Sequence, residues 1–142
     1  MCLSGASRAG AELLAAVPHP DLRLSYVWVP VLPPDDRAAA EAAAEGLTEQ
    51  RPDGHPSGRA THYWDGELRL ANRLGESLGI TAQQSLTGEG GAGLAWDVYL
   101  AYERGASDLF RPSFWMHQLA VTHAPRLDAA AFRQRVQGLL GA

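Results

Sequence analysis

The only thiol in this chain of 142 residues is Cys2, placed directly before a stretch whose spacing predicts a helix. The free amides and dipole of a helix N-terminus favour a thiolate, which lowers the cysteine pKa and raises its reactivity. The other candidate is Asp97, an acid inside the predicted apolar strand Trp96–Tyr102. A carboxylate there is costly unless it is hydrogen-bonded or paired, and it could tune a thiol or pass a proton. The plainer alternatives are a frayed terminal cysteine and a strand-end acid facing water. His62, His117 and His123 with Asp65 show no recognised metal-ligand spacing, so no metal is expected. Gly88 to Gly93 is glycine-rich but lacks a Lys-Ser/Thr ending and precedes a strand rather than a helix, so it is no phosphate cradle. Ser4, Ser7 and Ser113 have no nucleophile-elbow context.

These groups depend on the elements that carry them. The length fits one domain spanning the whole chain, residues 1–142. A hydrophobic fraction of 46% is enough for a globular core. All 12 basic residues are Arg, which together with the abundant Ala and Gly suggests a GC-rich, bacterial genome. The net charge of -4 argues against a nucleic-acid partner, because phosphate binding needs clustered cations. The longest apolar run, Tyr26 to Leu32, has strand length and is too short to span a membrane.

The pattern predicts helix over Leu3–Val17, with Leu3, Ala6, Gly10, Leu13, Leu14 and Val17 inward. Leu22–Leu32 is predicted as a central strand, apolar on both faces and ending near Pro30. Arg37–Leu47 is an Ala-rich helix capped by Asp35 or Asp36. Ala60–Trp64 is a short strand closed by the Asp65-Gly66 turn. Glu67–Leu78 is an amphipathic helix ending at Gly79, and Thr81–Gly93 a flexible loop. Trp96–Tyr102 and Phe110–Leu119 read as an antiparallel pair, the second interrupted at Pro112. Asp128 opens a final helix with Ala131, Phe132, Val136, Leu139 and Leu140 inward. This order predicts a mixed sheet between two helical layers.

Three segments carry a family resemblance. Ala60-Thr61-His62-Tyr63-Trp64-Asp65-Gly66-Glu67-Leu68, with Ala71, Leu74 and Leu78-Gly79-Ile80 after it, resembles a strand, Asp-Gly turn and aliphatic-Gly-aliphatic helix end of the thioredoxin-like superfamily. Trp96 to Gly105 resembles the strand and turn after that family's substrate loop. Cys2 resembles its active-site cysteine position. The nearest branch is that of peroxiredoxins and thiol-disulfide oxidoreductases. The resemblance implies an α/β fold of three layers, a thioredoxin-like mixed sheet flanked by helices, with the first core strand missing.

It also implies a thiol-based redox or thiol-binding role, with protein thiols or disulfides as partners and no cofactor. Cys2 is then the catalytic thiol and Asp97 its tuning carboxylate. In one register the motif is Cys2-Leu3-Ser4-Gly5 and the chemistry is monothiol. In the other, Cys2 is the second cysteine and its partner, cysteine or selenocysteine, lay upstream of Met1. The family's cis-proline has no counterpart between Ile80 and Phe110. Ala95 and Trp96 fall at that substrate-docking position, where a trans peptide is expected. Read as it stands, the chain is cytoplasmic; an upstream segment would make it periplasmic or secreted. Without the missing strand, Tyr26–Leu32 loses a neighbour and exposes ladder groups, which implies a homo-oligomer. The alternative function is a non-catalytic binding or scaffold domain using a face around Trp64, Trp96 and Trp115.

Overall fold

The computed structural model describes residues 6–7, 9–10, 13, 16–47, 58–81, 93–118 and 123–141. Within them lie strands β1 (Leu24–Trp28), β2 (Ala60–Trp64), β3 (Val98–Ala101) and β4 (Phe114–His117), and helices α1 (Arg37–Leu47), α2 (Arg69–Ser77) and α3 (Ala129–Leu140). Ala6, Ser7, Ala9, Gly10, Leu13 and Ala16 are also helical. Cys2 and the segments 48–57, 82–92 and 119–122 lie outside the described residues.

Local chemistry explains the helix boundaries. Asp36 caps α1 by accepting from the Ala39 amide at 2.7 Å, and Asp128 caps α3 by accepting from Ala131 at 2.9 Å. At α2 the cap is displaced. Leu68, in the left-handed region at φ 57°, makes no side-chain cap. Asp65 reaches across the turn instead, and its two carboxylate oxygens accept from Arg69 and Ala71, each at 2.9 Å. Gly79, at φ 67°, ends this helical stretch as a left-handed glycine.

The described strands form two separate two-stranded sheets, not the single mixed sheet expected from their order. β1 and β2 are parallel, pairing Leu24 with Ala60, Tyr26 with His62 and Trp28 with Trp64. β3 and β4 are antiparallel, pairing Val98 with His117 and Ala101 with Phe114. No described strand bridges β1 and β3, so the ladder stops at each. Apolar sequence order predicts which segments are extended; it does not supply the neighbour that joins them.

The cores follow the sheets. Leu13, Val17 and Leu22 pack with Ala101 and Met116 of β3–β4 and with Phe132 and Val136 of α3. On the other face, Val98, Leu100 and Trp115 pack against Leu74 and Leu78, with Ile80 and Ala95. The β3–β4 pair therefore lies between helical layers. α2 sits very close to the segment before β3: the Ala95 amide donates to Ala71 at 3.0 Å, and a Cβ at Gly75 would collide with the Gly93 carbonyl.

β1 departs from the reading of a strand covered on both faces. Its burial alternates, with Leu24, Tyr26 and Trp28 half-buried and Ser25 and Val27 exposed. β2 alternates in the same phase. It also ends at Trp28, two residues before Pro30. One end of this sheet is tied to the other: Arg104, after β3, pairs with Asp21, before β1, at 3.2 Å. Leu24 packs against the Ala101 cluster.

Candidate functional site

The residues singled out from sequence fall into different surroundings. Ala95 is buried against α2 and Trp96 is half-buried, its amide donating to Leu94 at 3.1 Å. No cis peptide occurs among the described residues. Asp97 stands just before β3 rather than inside it, at φ 55°, a left-handed conformation that Asp tolerates better than most residues. Its carbonyl accepts from the Gln118 amide at 2.8 Å. Asp97 acts electrostatically on His117, which is 0% exposed. Burial pushes the His117 imidazole below its ordinary range, and the Asp97 carboxylate pulls partly against that shift.

His62 and His123 hold structure. His62 lies in an aromatic stack, 4.8 Å from Tyr26 and 6.0 Å from Trp28, and its Nδ1 accepts from Trp28 Nε1 at 3.2 Å. That bond places the proton of a neutral ring on Nε2, and burial lowers the His62 pKa. His123 Nε2 meets the Leu78 carbonyl at 2.6 Å. Asp65 is occupied as the α2 cap. Among the described residues no group of three His, Cys, Asp or Glu could hold a metal ion.

The three tryptophans do not form one face either. Trp64 borders α1 in the first sheet, whereas Trp115 packs on the α2 cluster and meets the His123 ring at 5.5 Å. Between α1 and β1–β2 lies a cavity of about 120 Å³, bordered by Trp28, Ala40, Ala44, His62 and Trp64. Small-molecule sites run to roughly 300–1,000 Å³, so this space is too small for one.

What remains is the open side of the first sheet. The Leu24 amide donates to Arg59 O at 2.7 Å, and Trp28 O accepts from the Asp65 amide at 2.9 Å. Leu24, Tyr26 and Trp28 thus turn their backbone groups toward β2. By the alternation of a parallel ladder, Ser25 and Val27 turn theirs away. Among the described residues those outward groups meet no partner. The side chains of this face are exposed as well, Val27 by 39% and Tyr63 by 54%. No family model, curated protein or solved structure matches this chain. The site therefore rests on its geometry.

That geometry lacks the usual protection of a sheet edge. Leu24-Ser25-Tyr26-Val27-Trp28 carries no charge and no proline, the devices that discourage pairing. Arg23, next to the strand, is held locally, donating to the Pro20 and Leu22 carbonyls at 2.6 and 2.9 Å. Which amides face outward follows only from the register with β2. Among the described residues no helix is long and apolar enough to cross a membrane.

Proposed function

We propose that this chain is a thioredoxin-like domain used as a non-catalytic binding module, which receives an extended segment along the outer edge of β1. The observation that carries the reading is the pair of outward backbone groups at Ser25 and Val27 on an uncharged strand. A segment pairing there gains backbone hydrogen bonds for affinity, and Val27 and Tyr63 supply apolar contacts on the open face. The thioredoxin-like part is supported by the element order, the parallel β1–α1–β2 unit and the antiparallel β3–β4 pair between α2 and α3.

The test is selection of random peptides on the protein, followed by rebinding to a Ser25→Pro variant. Proline removes the outward amide of Ser25 without touching the β1–β2 ladder. The proposal expects selected peptides to lose binding to the variant; peptides that bind both forms equally contradict it.

One observation favours the thiol reading as a second possibility. The described residues between Ala6 and Ala16 are helical, which suits a thiol near a helix start. The pH dependence of the Cys2 reaction with iodoacetamide separates the two readings. A thiol pKa near the ordinary ~8.5 supports the binding module, and a clearly depressed one supports thiol chemistry.

A further inference from the structure

We draw no further inference here: the strongest candidate, the cavity of about 120 Å³ between α1 and the β1–β2 sheet, lined in part by His62 with its buried and unpartnered Nε2, carries nothing because Arg37 and Glu41 on its rim pair with each other and nothing in the structure shows what would fill it.

Discussion

The two sheets have similar length and comparable apolar content, yet one is enclosed and the other is open. β3–β4 packs Ala101 and Met116 toward α3, and Leu100 and Trp115 toward α2. β1–β2 covers one face, where Trp28, His62 and Trp64 border α1, and leaves Ser25, Val27, Thr61 and Tyr63 exposed. Composition therefore does not decide which strand is buried. Val27 and Leu100 are both aliphatic strand residues; they differ in whether a helix lies over them. The enclosed sheet carries stability, and the open one has backbone and side chains left for an interaction.

The contrast can be broken first by removing bulk from each side. Phe132→Ala in the enclosed core should cost about 3–5 kcal/mol, because Phe132 is buried and meets Phe114 and Tyr99 at ring distances of 5.1 and 6.2 Å. Val27→Ala on the open face should stay within about 0.5 kcal/mol. Urea unfolding of both variants checks the pair, and equal losses would erase the distinction. Gly75→Ala comes next, at about 1–3 kcal/mol, since a Cβ there meets the Gly93 backbone rather than a movable side chain. Asp65→Ala should cost about 1 kcal/mol by releasing the Arg69 and Ala71 amides at the start of α2.

The smallest effect is in pH. Burial lowers the pKa of both His117 and His62. In the unfolded chain each titrates near its ordinary ~6.5. Between that value and the lower folded one, the unfolded chain binds protons that the folded chain refuses. Stability is therefore full above the ordinary histidine range and falls as pH drops through it toward the folded values. Urea midpoints measured across that range should decline with acidity, and a midpoint that rises would contradict the burial of His117.

Much of this architecture is legible from the residues. Arg37–Leu47 and Ala60–Trp64 fall where their composition predicts, and Asp36 and Asp128 cap helices as their types suggest. The antiparallel β3–β4 pair and the inward set Phe132 and Val136 are also as expected. These features are local, set by periodicity and capping within a few residues. The division into two sheets is not local. Nothing within Tyr26-Val27-Trp28 signals that only one face will be covered, because Val27 is as apolar as the residues beside it. The sequence marks Asp65 only as part of a turn; its carboxylate also holds amides four and six residues on. The apolar run around Asp97 predicts a strand position, yet Asp97 stands just before β3, in a conformation that composition does not reveal.

The open edge of β1 can be read directly by amide hydrogen exchange along the strand, with and without a peptide selected on the protein. In the free protein the account predicts alternation: Leu24, Tyr26 and Trp28 amides protected by β2, Ser25 and Val27 amides exchanging freely. With peptide bound, Ser25 and Val27 should gain protection together while the other three stay as they were. Ser25 and Val27 amides that exchange equally fast with and without peptide would contradict pairing at this edge, and protection of both in the free protein would show that the edge is not open.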